Sequence, residues 1–305
     1  MGEKVLDLRE IADLCAECGA ELKENEVLAP YTSFKIGGPC DCMVKVNSKE
    51  CFAAVVKYCR KADIPYYIIG KGSNILVSDK GLRGVVILVS SAFSEIKVDG
   101  EHIICDAGAP LYKVCIAARD NCLTGLEFAY GIPGSVGGAL YMNAGAYLGE
   151  MSQIVESAEY IDENGDVREI ALADMELSYR HSIFSEKNLP VVSVKMKLAK
   201  GDYDKINDRM NYLMDRRRNA QPLEYPSAGS TFKRPEGDYA ARLIDVCGLK
   251  GTACGGAEVS TKHSGFIINK DNATFKDVLG VIDAVKKKVF DDTGVMLECE
   301  VLILE

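Results

Sequence analysis

Gly131-Ile132-Pro133-Gly134-Ser135-Val136-Gly137-Gly138-Ala139-Leu140-Tyr141-Met142-Asn143-Ala144-Gly145-Ala146 is the stretch on which the fold turns. Five of its sixteen residues are glycine, so the backbone is bare over a long run. Such a run builds no side-chain core of its own and suits close approach of main chain to a large flat ligand. A flexible linker would be polar throughout, whereas Ile132, Val136, Leu140 and Met142 are interleaved here. A second bare segment lies upstream, Gly70-Lys71-Gly72-Ser73-Asn74. Ile75 stands where a Rossmann fingerprint needs its third glycine, and Gly72 stands where a Walker-type loop needs Ser or Thr. Neither nucleotide motif is therefore present. Consecutive N–H groups in such a turn point into one concavity that suits a phosphate or pyrophosphate. The same residues also make an ordinary tight turn with positive φ at Asn and Gly. Two bare segments in one chain suit a dinucleotide held between two lobes.

Working outward, residues 7–22 read as an amphipathic helix with Leu8, Ile11, Leu14, Cys15 and Cys18 on one side. A strand is expected at 41–46, and Ser48 caps a helix running to about Cys59. Tyr66–Ile69 is a strand that stops at the first bare segment. Further strands are expected at 75–78, 84–89 and 102–106, then a helix at 111–121. Beyond the second segment, 154–171 reads as a hairpin turning at Asn164-Gly165. A strand at 191–198 and a polar helix at 202–218, ending in Arg216-Arg217-Arg218, follow. A helix spans 238–247. Another starts at Thr274, which with Asp277 makes a capping box, and faces the core with Val278, Val281 or Ile282, Val285 and Val289. A strand over 296–304 closes the chain. This order is α+β, without regular βαβ alternation. The division falls near Lys200-Gly201-Asp202. It leaves a first domain at 1–200, of two α+β lobes meeting near 80–90, and a smaller α+β domain at 201–305.

The length of 305 residues suits two domains. The longest aliphatic run, Val85–Val89, is a buried strand and far too short for a membrane helix. A net charge of −9 disfavours a nucleic-acid binder. The twelve cysteines are scattered, several at apolar positions such as Cys51, Cys59, Cys115 and Cys247. Cys15-x-x-Cys18 lacks the second pair a zinc site wants, and His181 and His263 show no ligand spacing, so no metal is expected. Met1–Asp7 shows no secretory or myristoylation signal. Reduced thiols and a cytoplasmic location are expected, with no obligate protein partner.

The pair of bare segments resembles the flavin-binding domain of the vanillyl-alcohol-oxidase type. Four more pieces are Ser33-Phe34-Lys35-Ile36-Gly37-Gly38-Pro39, Tyr179-Arg180-His181-Ser182-Ile183-Phe184, Gly229-Ser230-Thr231-Phe232-Lys233-Arg234-Pro235 and Gly248-Leu249-Lys250-Gly251. With Glu300-Val301 they run in order over about 270 residues. On these the chain resembles the UDP-N-acetylenolpyruvoylglucosamine reductase family. The resemblance implies FAD bound in residues up to about 200, at Gly70, Lys71, Gly72, Ser73, Asn74, Gly131, Ile132, Pro133, Gly134, Ser135, Gly138, Asn143, Gly145 and Ala146. It implies a UDP-sugar bound in the remainder and NADPH as electron donor, in peptidoglycan precursor synthesis. The family reduces an enolpyruvyl ether to a lactyl ether. About 105 residues after position 200 leave little room for a tyrosine-bearing loop found in one subtype, so the chain is similar to the subtype without it.

Hydride delivery to the terminal carbon of the double bond leaves enolate character beside the substrate carboxylate. Arg180 is the candidate to stabilise that charge, because a guanidinium is permanently cationic and grips a carboxylate with two bonds. It is expected in a short polar segment after an apolar-rich helix; its other reading is a surface arginine beside Glu176. Ser230, in a turn of small residues, is the candidate general acid; its other reading is an ordinary turn serine. Glu300 shares a side of the last strand with Glu298. The family pattern selects Glu300, acting protonated or through water because an ionised carboxylate repels an enolate. Arg216–Arg218 and Lys262-His263 are candidates for the diphosphate, or else a solvated helix end and a loop. Two other readings are a flavin oxidase of the same fold acting on an alcohol or sugar, and a non-catalytic nucleotide-sugar binding module.

Overall fold

The computed structural model describes residues 8–305, so the expectations on Met1–Asp7 lie outside the described residues. Two compact units form. The first takes the chain up to Glu26, Cys40–Lys71 and Arg83–Asp215; the second takes Val27–Pro39, Gly72–Leu82 and Arg216–Glu305. The linear division expected near 200 therefore differs from the compact one. Burial explains the difference: Phe34, Ile36 and Leu76 lie in the same apolar cluster as Leu243, Ile244, Val281 and Val285.

In the first unit, helix α1 (Leu8–Cys18) buries Ile11 and Cys15. It stops short of the expected residue 22. Gly19 adopts φ 70°, and the Ala20 N–H returns to Cys15 O at 2.8 Å, the bond that closes a helix C-terminus. The freed residues, Glu21–Glu24, become a strand antiparallel to Cys40–Val46. Helix α2 (Lys49–Ala62) starts where expected, with Ser48 Oγ accepting from Cys51 N–H, and ends at Asp63 with φ 56°. It buries Cys51, Phe52, Val55, Val56 and Cys59 in the cluster that holds Val44, Val85 and Ile87. These belong to a four-stranded sheet ordered Glu21–Glu24, Cys40–Val46, Leu82–Val89 and Tyr66–Ile69, the last two parallel.

A five-stranded antiparallel sheet follows, ordered Val167–Ala171, Val155–Ile161, Val191–Lys197, His102–Asp106 and Ile96–Asp99. Its hairpin turns as expected: Asp162 Oδ1 accepts from the N–H groups of Asn164 and Asp166, and Gly165 adopts φ 83°. Helices α3 (Leu111–Asp120) and α4 (Val136–Tyr141) contribute Leu111, Val114, Val136 and Leu140 to the cluster under this sheet. A single turn, α5 (Ile183–Glu186), and helix α6 (Tyr203–Ala220) add Phe184, Ile206 and Met210.

In the second unit, α7 (Ala240–Val246) and α8 (Phe275–Thr293) share a core with a sheet of Ala253–Cys254, Ala257–Val259 and Ile267–Asn269. Val278, Val281, Ile282, Val285 and Val289 are all buried. Full burial of side chains this size stabilises by about 1.5–3 kcal/mol each. The strand expected over 296–304 is shorter, Leu302–Leu304, parallel to Ile75–Val77. Residues 297–301 instead run beside 231–233 through single bonds, Glu300 N–H to Thr231 O and Lys233 N–H to Glu298 O, both 2.8 Å.

Candidate active site

In the first unit the bare segments meet. A Cβ added to Gly70 would lie 2.5 Å from Ser135 Oγ, so glycine permits the approach. Ser135 is buried and caps α4, accepting from Gly138 N–H at 3.4 Å. Thus part of the second segment is helical, where a bare stretch was expected. Its Gly137 serves packing: a Cβ there would stand 2.7 Å from Ala107 Cβ. Gly134 O accepts from Leu111 N–H and Ile132 N–H donates to Ala129 O, so this backbone is braced on both sides. After Asn143 the chain makes a tight hairpin, Gly145–Ala146 against Gly149–Glu150. Its tip residues Tyr147 and Leu148 adopt φ 52° and 70°, and Leu148 is 99% exposed. Left-handed backbone costs about 1–2 kcal/mol at each non-glycine residue, and strain of this kind concentrates at functional sites.

Arg180 does not follow a long helix. A single 3₁₀ turn, Leu172–Asp174, precedes it, and Glu176 breaks the chain with φ 50°. Ser178 and His181 then exchange backbone hydrogen bonds at 3.2 Å, so Tyr179-Arg180 form the two-residue tip of a tight turn. Arg180 adopts φ 55° and is half-buried. One guanidinium nitrogen donates to Gly145 O at 3.3 Å, and the group lies 5.1 Å from the Tyr179 ring centroid. Arg180 thus meets the exit of the second bare segment, within one unit. His181 is held by Glu176 O and Glu186, each at 3.0 Å, an arrangement that fixes the turn's far end.

In the second unit, Ser230 and Glu300 lie on adjoining strips. Ser230 follows Gly229, whose φ is 74° and whose side-chain position is open space. Buried Thr231 anchors the strip, donating to Gly265 O at 2.9 Å while its Oγ1 accepts from Ile267 N–H at 3.2 Å. Among the described residues, none hydrogen-bonds the Ser230 hydroxyl. Glu300 N–H donates to Thr231 O, the residue next to Ser230. Asn74 Nδ2 donates to Glu300 O at 3.1 Å, bringing the end of the first bare segment to Glu300. Gly72, with φ 60°, admits Tyr31 O where a Cβ would be 2.1 Å away.

The donor chemistry fits the dinucleotide that the resemblance implies. Neither bare segment carries an acidic residue in a chain with 45 of them, while Lys71, Ser73 and Ser135 supply a cation and hydroxyls. The segments themselves thus offer an anionic pyrophosphate no carboxylate, and Glu150 is the acidic residue paired beside Gly145. Lys262 is engaged elsewhere, with Arg218 O at 2.8 Å and Glu224 at 3.5 Å. Burial pushes His263 below the usual imidazole range, which keeps it neutral, and its Nδ1 accepts from Gly265 N–H. The twelve cysteines are all free thiols. Among the described residues, no group of three or more His, Cys, Asp or Glu is arranged to hold a metal.

Sequence reading missed the roles of Ser178 and Ser182. Ser182 is buried, and its Oγ donates to Tyr141 O at 2.6 Å across 41 positions of sequence. No local pattern signals such a pairing. The cap at Ser135 was findable, because Ser followed by a small apolar helix start is a local signature.

Comparison with known proteins adds the following. A family model described as the C-terminal domain of UDP-N-acetylenolpyruvoylglucosamine reductase matches residues 221–304, and a model of an FAD binding domain matches residues 40–171. The reductase of that name from Clostridium novyi is 51% identical over 284 residues, covering 93% of this chain and 92% of its own. That from Clostridium tetani is 49% identical over 295 residues, 96% of each chain. The crystal structure of the enzyme from Thermus caldophilus superposes with a TM-score of 0.80 at 34% identity, covering 94% of this chain and 99% of that one.

Proposed function

Because the chain belongs to the UDP-N-acetylenolpyruvoylglucosamine reductase family, we propose that Arg180, Ser230 and Glu300 carry its catalytic work. The chain is an FAD- and NADPH-dependent oxidoreductase of peptidoglycan precursor synthesis, converting the enolpyruvyl ether of a UDP-sugar to UDP-N-acetylmuramate. The oxidase and the non-catalytic module fall away with that membership. When bound, FAD accepts hydride equivalents from NADPH and supplies them to the substrate's double bond.

The chain's own residues do the rest. Gly70, Lys71 and the 131–146 segment hold the dinucleotide through bare backbone and a cation. Arg180 stabilises the charge that develops beside the substrate carboxylate. Ser230 Oγ delivers the proton to the α-carbon; its hydroxyl is uncommitted and its strip is anchored through Thr231. A serine is a weak acid and needs assistance from neighbouring charge. Glu300 acts in its neutral form, or through a bridging water, because an ionised carboxylate would oppose the enolate. The bond from Glu300 N–H to Thr231 O, which ties the two strips together, is the observation that carries this assignment.

We place the reaction in the cytoplasm, where twelve free thiols stay reduced. No helix among the described residues is long and apolar enough to cross a membrane. The UDP-sugar is assigned to the C-terminal part and needs no protein partner.

The test is the visible spectrum under anaerobic conditions. Ser230→Ala is expected to bleach with NADPH at the parent rate and to recover with substrate about 10²–10⁴-fold more slowly. Full-speed recovery would remove Ser230 as proton donor. A pH–rate profile identical between Glu300→Gln and the parent would remove Glu300.

A further inference from the structure

Each bare segment contains an asparagine whose side chain is spent on main chain, and in both cases that main chain belongs to a candidate catalytic element. Asn143 is completely buried. Its Nδ2 donates to Ser178 O at 2.9 Å, and its Oδ1 accepts from Ser152 N–H at 2.9 Å. Ser178 closes the two-residue turn that presents Arg180. Ser182 Oγ pins the other flank of that turn to Tyr141 O at 2.6 Å. Arg180 therefore sits between two ties to the same short stretch, residues 141–143. In the second unit, Asn74 Nδ2 donates to Glu300 O at 3.1 Å, and Asn74 O accepts from Leu302 N–H at 2.9 Å.

We propose that Asn143 and Asn74 are positioning residues, each using its amide to hold the backbone of Arg180's turn and of Glu300, and that neither serves the flavin through its side chain. The side chain at position 143 donates from one atom and accepts at another, which an ionised carboxylate, an acceptor only, does not do, and which a hydroxyl does only through a single oxygen. It must also tolerate φ 39°, which asparagine does better than other residues with side chains. Arg180, at φ 55°, is a residue whose preferred backbone lies elsewhere. Its turn needs restraint from outside, and Asn143 supplies it. The consequence is that the flavin seat and the charge-stabilising side chain are built as one piece. This inference rests on the roles proposed above for Arg180 and Glu300.

The experiment uses Asn143→Asp in the full chain. This change keeps the size, the acceptor and the tolerance of left-handed backbone, and removes the donor to Ser178 O. Amide hydrogen exchange over residues 178–182, measured with and without FAD, is expected to quicken about tenfold, the effect of one lost hydrogen bond. Exchange over α4 should stay as in the parent. Flavin content and the rate of reduction by NADPH are recorded beside it, and in the FAD-loaded fraction substrate-driven reoxidation is expected to slow about tenfold. In an Arg180→Ala background the same change should slow reoxidation no further. Ser182→Ala, which leaves the Asn143 amide in place, should quicken the same exchange. Unchanged exchange at 178–182 in Asn143→Asp would overturn the proposal, as would equal slowing with and without Arg180. If Arg180→Ala alone leaves reoxidation at full speed, the role of Arg180 fails, and the exchange result still decides whether Asn143 orders the turn. Asn74→Asp is read the same way against Glu300→Gln.

Discussion

At the scale of single residues, burial explains the cysteines. Cys42, Cys59 and Cys105 are packed in apolar clusters, and burial pushes each thiol up to about 12. These groups are inert thiols filling core positions. The sign of the pH effect follows. Their folded pKa lies above the unfolded value of about 8.5, so the unfolded chain loses protons first as pH rises. The stability they contribute is fully present below about pH 8.5 and is lost as pH rises toward 12. Urea midpoints should therefore fall above pH 9, and Cys59→Ala should flatten that fall while lowering the midpoint at pH 7. A parallel curve in the variant would refute the account. The reading of Cys247 as a core position is less apt, since it is only half-buried at the end of α7.

At the scale of elements, local chemistry decides where helices begin. Thr274 Oγ1 accepts from Asp277 N–H at 3.1 Å, and Asp277 Oδ2 accepts from Thr274 N–H at 2.9 Å and Gly256 N–H at 3.3 Å. These bonds hold the Asp277 carboxyl below the usual range, led by the one from Thr274 N–H. Thr274→Ala is expected to cost about 1 kcal/mol in denaturant unfolding, with Thr274→Ser close to the parent. A loss well below a few tenths would mean that packing alone places the start of α8. Helix ends were less legible than starts: α2 runs three residues past the expected Cys59 to a left-handed Asp63, and α1 stops four residues before the expected 22 at a left-handed Gly19.

At the scale of the whole molecule, the chain is not divided at a single point. Residues 27–39 and 72–82 belong with the C-terminal unit, which buries Phe34, Ile36 and Leu76. A fragment of residues 216–305 alone lacks these three side chains, and removing a single buried large apolar side chain costs about 2–5 kcal/mol. Total stabilities are only about 5–15 kcal/mol. The fragment should show no cooperative thermal transition by circular dichroism. A sharp transition would show that the 216–305 stretch is self-sufficient.

By itself the sequence determined the α+β order, the starts of α2 and α8, the Asp162–Asp166 turn and the two bare segments. It also carried the resemblance that family membership later matched. These are local features: caps, turns and periodic burial act between residues a few positions apart, and their signatures are printed in the chain. Only the tertiary structure decided which segments share a core, why residues 297–301 run as an irregular strip, and that Arg180 sits on a tight turn. It alone joined Asn143 to Ser178, 35 residues on, and Asn74 to Glu300, 226 residues on. Such bonds depend on which distant loops the packed cores bring together, and a single amide carries no mark of the partner it will meet.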